Sequence, residues 1–183
     1  MSALIEAARS PDFAAEIVTV LSDEPDAPGL SIARKAGVAA EAIDFRACPG
    51  KAAFEAALEA RLRAERAEIV CLAGFMRILS PAFVERWKGR MLNVHPSLLP
   101  NLRGLNTHER ALREGLAEHG CTVHFVTAEL DAGPIIAQAR VPILPGDDAE
   151  ALAARVLREE HRIYPAALAA VARSLSAAET EGR

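Results

Sequence analysis

Between residues 15 and 95 the chain alternates short apolar runs with longer helical stretches, and this alternation constrains the fold more than any other feature. "AEIVTVLS" (15–22), "EAIDF" (41–45), "EIVCLAG" (68–74) and "MLNVH" (91–95) read as strands. Between them lie "SIARKAG", which stops on Gly37, and amphipathic "KAAFEAALEARLRAERA" (51–67). A third helix, "SPAFVERWKG" (80–89), opens with Ser80 as cap and Pro81 at the first helical position. Strand–helix–strand units imply parallel pairing, because a crossover helix returns the chain in the same direction. The expected architecture is therefore α/β: an open, mostly parallel twisted sheet with helices on both faces.

After Pro100 the texture changes. "THERALREG" (107–115) reads as a short helix, and "CTVHFVTAEL" with "PIIAQARVPIL" as a pair of strands, antiparallel at the sheet's edge. Residues 147–175 form one helical stretch that Pro165 should kink or break, and about 174–183 should fray. No repeat or linker interrupts the 183 residues, so one domain spanning 1–183 is expected.

Composition narrows the function. The formal net charge is −4 and no dense Lys/Arg block occurs, which disfavours nucleic acid and anionic membranes as partners. Cys48, Cys71 and Cys121 lack zinc or redox spacing and read as reduced thiols of a cytoplasmic protein. The longest apolar runs fall short of a membrane span, and "MSALIEAARS" lacks a signal layout.

Chemistry concentrates in two polar islands. In "MLNVHPSLLP" (91–100), Asn93 and His95 lie two apart on a strand and so face one side, and Pro96 ends the strand. In "ELDAGP" (129–134), the turn residues Gly133 and Pro134 hold Asp131 in place. An imidazole to manage protons, a carboxylate to set its charge and an amide to donate to an oxyanion make a kit for acyl transfer. Ser97 has no nucleophile elbow, and the histidines show no metal spacing, so no metal is expected.

"CLAGFMRILSPAFVERWKGRMLNVHPSLLP", "GLNTHERAL", "GCTVHFVTAELDAGPIIAQARVPILPGD" and "EEHRIYP" closely resemble the glycinamide ribonucleotide formyltransferase family over the chain up to about residue 170. The resemblance implies a Rossmann-like formyltransferase fold and transfer of a formyl group from 10-formyltetrahydrofolate to the amine of glycinamide ribonucleotide, in purine biosynthesis. It implies Asn93, His95 and Asp131 as the catalytic trio. It places the folate against Met76, Arg77, Ile78 and Leu79, closed on the other side by Ala128, Glu129 and Leu130. Arg77, charged within an apolar pentad, is expected on the ligand side. Glu160 and Lys51 fall at ribonucleotide-binding positions, while His161 and Tyr164 are read as packing residues. Asn106 departs from the histidine that family members often carry. The alternatives are a deformylase-like hydrolase or an inactive folate-binding module; the assembly is a monomer or homodimer. The family also carries a strand and a glycine-rich phosphate turn ahead of the helix on which "MSALIEAARS" opens. The expectation at that end is a truncated chain or misplaced start, weaker in binding the ribonucleotide.

Overall fold

The computed structural model describes residues 1–181. Its elements follow as α1 (Ser2–Ala7), β1 (Thr19–Ser22), α2 (Pro28–Lys35), β2 (Ala39–Ala42), α3 (Lys51–Ala64) and β3 (Val70–Leu72). Then come α4 (Pro81–Arg86), β4 (Met91–His95), α5 (Thr107–Arg113), β5 (Glu118–Phe125), β6 (Ile135–Pro142) and α6 (Ala149–Glu181).

The first three strands are shorter than the apolar runs that announce them. β2 stops at Ala42 because Asp44 accepts the Arg46 N–H at 2.9 Å and caps a 3₁₀ turn over Phe45–Ala47. Ser80 caps α4 as expected, accepting the Phe83 N–H at 3.2 Å.

The expected single sheet is divided in two. β1 pairs with β2, in parallel; β3, β4, β5 and β6 form the other sheet in that order. β3 and β4 are parallel, whereas β4–β5 and β5–β6 are antiparallel. Within the larger sheet the antiparallel pairings thus outnumber the parallel one. β5 and β6 approach so closely that a Cβ on Gly120 would lie 2.0 Å from the Ala139 carbonyl oxygen.

The strands separate two cores by simple alternation. Ile69, Cys71 and Ala73 pack toward a core built around α6, with Leu92, Val123, Leu152 and Leu168. Val70 and Leu72 pack toward the opposite core, formed by Phe54, Leu58, Phe83 and Trp87. Burial pushes the Cys71 thiol up to about 11 and that of Cys121 up to about 12, so both stay protonated.

Pro165 does not break the last helix, and the expected fraying from about 174 is not seen: α6 runs through to Glu181, with 182–183 outside the described residues. Beside the proline, the buried Tyr164 hydroxyl lies 2.8 Å from the Leu72 carbonyl and 3.1 Å from that of Leu92, fastening the helix to β3 and β4. His161, expected to pack, is exposed. Among the described residues no helix is long and apolar enough to cross a membrane.

Candidate active site

Asn93 and His95 stand at the end of β4, and the β4–β5 register sets Asn93 directly opposite His124. Phe125 O can only accept, so the proton of neutral His124 sits on Nδ1, which donates to that carbonyl at 2.9 Å. Nε2 is then a bare acceptor and takes an N–H from the Asn93 amide at 3.3 Å. Burial lowers the affinity of His124 for a second proton, which preserves this arrangement. One Asn93 N–H is thereby committed, and the other remains available.

His95, 6% exposed, donates from Nε2 to the Leu102 carbonyl at 3.0 Å by the same logic. Its Nδ1 faces Asp131 Oδ2 at 3.5 Å. Asp131 is itself anchored: Oδ2 accepts the Gly104 N–H at 2.9 Å, and Oδ1 lies 3.7 Å from His124 Nε2. Buried His95, Asp131 and His124 and half-buried Asn93 therefore form one cluster in which each group is oriented by the next.

The loops that carry these partners use unusual backbone. Leu102 (φ 55°), Asn106 (φ 57°) and Asp131 (φ 49°) all lie in the left-handed region, uncommon for residues with side chains. Hydroxyls hold the 96–106 loop down. Thr122 Oγ1, fully buried, donates to Ser97 O at 2.7 Å and accepts from Leu99 N at 3.1 Å and from Gln138 Nε2 at 2.9 Å. Thr107 Oγ1 donates to Pro96 O at 2.6 Å. Replacing Thr122 with valine strands the Leu99 N–H and the Ser97 carbonyl; the expected loss of stability is about 2–4 kcal/mol. Urea unfolding measures it, and a change within 0.5 kcal/mol would show the loop to be held by other means.

Behind His95, buried His119 contacts the His108 ring, Nε2 to Nδ1, at 3.1 Å. Burial first, then the nearby His108 and His95, brings His119 down to about 4, against a weaker opposing pull from the Pro96 carbonyl. The unfolded chain binds that proton near pH 6.5 and the folded one only near 4, so acidification through this window favours unfolding. Melting temperature should fall from pH 6.5 to 4, less steeply in His119→Gln; parallel profiles would remove His119 from the account.

The remaining sequence-predicted residues fall elsewhere. Met76 and Ile78 are 72% and 70% exposed, and with Arg77 and Leu79 they line a cavity of about 320 Å³ together with Phe45, Lys51, Phe54 and Glu55. Lys51 thus lies with the 76–79 segment, its Nζ 4.0 Å from Glu55. Arg77 lines this cavity while its guanidinium stacks 3.8 Å over Phe45 and pairs with Asp23 at 2.5 Å and Glu24 at 3.4 Å. The carboxylates it binds are the chain's own. Ala128, Glu129 and Leu130 are exposed, and Glu129 pairs with Arg103 at 2.7 Å, clipping the two site loops together. Glu160 is on α6, its carboxyl raised by burial and eased by the nearby N-terminal amine. Among the described residues no group of three or more His, Cys, Asp or Glu is arranged to hold a metal.

A family profile described as formyl transferase matches residues 1–168. The chain belongs to the formyl transferase family. Phosphoribosylglycinamide formyltransferase of Escherichia coli is 46% identical to this formyl transferase over 165 residues, 90% of the chain and 78% of the relative. The trifunctional purine biosynthetic protein adenosine-3 of Bos taurus is 48% identical over 94% of the chain, which spans only 17% of that longer protein. Among solved structures, phosphoribosylglycinamide formyltransferase from Brucella melitensis aligns with a TM-score of 0.90 at 53% identity, covering 94% of this chain and 88% of that one. Glycinamide ribonucleotide transformylase 1 from Symbiobacterium toebii aligns with a TM-score of 0.92 at 47% identity, covering 94% and 82%.

Proposed function

We propose that this formyl transferase moves the formyl group of 10-formyltetrahydrofolate to the amine of glycinamide ribonucleotide, a step of purine biosynthesis, in the cytoplasm. The observation that carries the reading is the cluster in which buried His124 orients half-buried Asn93 and Asp131 faces His95. In the transfer a bond forms between the amine nitrogen and the formyl carbon, and the bond from that carbon to the folate nitrogen breaks. The amine sheds a proton and the folate nitrogen gains one. The uncommitted Asn93 N–H serves as donor to the formyl oxygen as it becomes an oxyanion. His95 holds the travelling proton on Nδ1, and Asp131 stabilises the imidazolium while it does so.

The 76–79 segment fits the folate. Two large apolar side chains, Met76 and Ile78, stand mostly exposed beside a cavity walled by Phe45 and Phe54, a surface that a planar ring would cover. Arg77, already neutralised by Asp23 and Glu24, shapes that wall rather than gripping a ligand carboxylate. Ala128, Glu129 and Leu130 close the other side in this reading, and Glu160 remains the candidate for the ribonucleotide.

The test is tetrahydrofolate release from 10-formyltetrahydrofolate with and without glycinamide ribonucleotide. Release that depends on the ribonucleotide is expected. Release that proceeds equally without it would make the protein a hydrolase, and tight folate binding with no release would make it a binding module; either overturns the proposal.

A further inference from the structure

One peptide bond connects the Asp131 carboxylate to Arg110 of α5. The Gly104 N–H donates to Asp131 Oδ2 at 2.9 Å. The carbonyl of the same peptide unit, Arg103 O, accepts from Arg110 Nη1 at 2.6 Å. A trans peptide aims its N–H and its C=O in opposite directions. This plane is therefore held between a cation on one side and an anion on the other. Arg110 Nη1 also lies 3.4 Å from Leu105 O, so the carbonyls on both sides of Gly104 turn toward one guanidinium. Arg110 itself is half-buried, and its backbone N–H donates to Asn106 O at 3.0 Å in the first turn of α5.

The peptide between residues 103 and 104 is one that needs holding. Gly104 has φ 79°, yet a Cβ there would meet nothing within 4 Å. Glycine is thus required by the backbone conformation and not by crowding, and it leaves the adjoining peptide plane little steric resistance to turning over. Turned over, the plane would aim the Arg103 carbonyl at the Asp131 carboxylate, oxygen against oxygen. Asp131 would lose its N–H donor and with it the place that faces His95 Nδ1 at 3.5 Å. The other tie on this loop acts elsewhere. The Arg103 guanidinium pairs with Glu129 at 2.7 Å, but both side chains are exposed and a side-chain pair does not set the plane of the peptide. Arg110 does set it, because it binds the carbonyl oxygen. A charged donor there makes the stronger bond and polarises the amide, so that the Gly104 N–H becomes a better donor to the carboxylate.

We infer that Arg110 is a positioning residue of the active site: it fixes the 103–104 peptide with its N–H toward Asp131, and through that N–H holds the carboxylate opposite His95. This rests on the proposed role of Asp131 beside His95 and goes beyond it by naming what keeps the carboxylate in place. Arg110 acts at one remove from the reacting atoms and far from the 76–79 segment in the chain, so its loss belongs in kcat and not in the KM for folate.

The test compares Arg110→Met, which keeps an apolar stem but no charge or donor, with Arg110→Lys, which keeps a cation able to reach a carbonyl. Arg113→Met, at an exposed position of the same helix, controls for loss of positive charge from α5. In Arg110→Met, kcat should fall about tenfold while the KM for 10-formyltetrahydrofolate stays within about twofold. Arg110→Lys should recover most of that loss, and Arg113→Met should show none. Without substrate, amide exchange followed by NMR should be faster at Gly104 in Arg110→Met, while β5 keeps its protection. An Asp131→Ala background decides whether the effect passes through the carboxylate. With no carboxylate to place, adding Arg110→Met should lower kcat by less than about twofold more. Unchanged kcat or unchanged Gly104 exchange in Arg110→Met overturns the inference. So does a second full loss in the Asp131→Ala background, which would make the arginine a general support of the loop. If Asp131→Ala alone keeps normal kcat, the role given to Asp131 is wrong and that of Arg110 falls with it; normal loss in Asp131→Ala without loss in Arg110→Met removes Arg110 alone.

Discussion

Replacing His95 with alanine is expected to lower turnover by roughly 10²- to 10⁴-fold, the usual weight of a positioned proton-transfer group. The buried ring has both nitrogens accounted for: Nε2 is spent on Leu102, and Nδ1 faces the carboxylate of Asp131. The neighbouring His124 cannot replace it, because it spends its own two nitrogens on Phe125 and Asn93. Folate affinity should change little, since the 76–79 segment has no hydrogen bond to this ring among the described residues. Single-turnover kinetics with equilibrium folate binding separates the two quantities. Near-normal turnover in the variant would end the assignment of His95 as the proton carrier.

Gly133→Ala should be nearly as damaging, although the residue carries no chemistry. A Cβ there would lie 1.8 Å from the Phe125 carbonyl oxygen and 2.8 Å from its carbon. Both are backbone atoms, so the turn must move, by more than an ångström, to restore contact distance. The same close approach is held by the Phe125 N–H donating to Pro134 O at 2.9 Å. Asp131, two residues earlier, moves with the turn and leaves His95 and the Gly104 N–H. A displacement of that size costs roughly 10²-fold in rate. Circular dichroism should still report a folded protein, and the loss should appear in kcat rather than in the KM for folate. Gly29→Ala is the control, because its Cβ would meet only the flexible tip of Met1 at 3.3 Å. Wild-type kcat in Gly133→Ala would show that the turn tolerates displacement without moving the carboxylate.

Much of the site was readable in the sequence because its signals are local. Two residues in strand spacing ahead of a proline gave Asn93 and His95, and a turn-forming triplet gave Asp131. His124 as the orienter of Asn93 was not readable, since its partner is set by an antiparallel register between residues 31 apart. The Leu102 carbonyl was invisible for another reason: leucine at positive φ has no compositional mark. Arg77 was expected on the ligand side; that its guanidinium pairs with half-buried Asp23 was not readable, because Asp23 lies 54 residues away and no periodicity connects the two. In the fold, strand–helix alternation identified every strand of the parallel half. It could not show that β1 and β3 would stand apart, because periodicity reports which face a residue prefers and not which strand lies beside it.

The three residues of the site loops that carry side chains at positive φ have a thermal consequence. At about 1–2 kcal/mol each, Leu102, Asn106 and Asp131 store roughly 3–6 kcal/mol in the two loops that complete the site. Opening the loops relieves that strain, set against the hydrogen bonds of Thr122 and Gly104 that hold them. The expected result is a local, reversible loss of activity some degrees below the temperature at which the cores melt; activity and near-ultraviolet dichroism lost at one temperature would refute it.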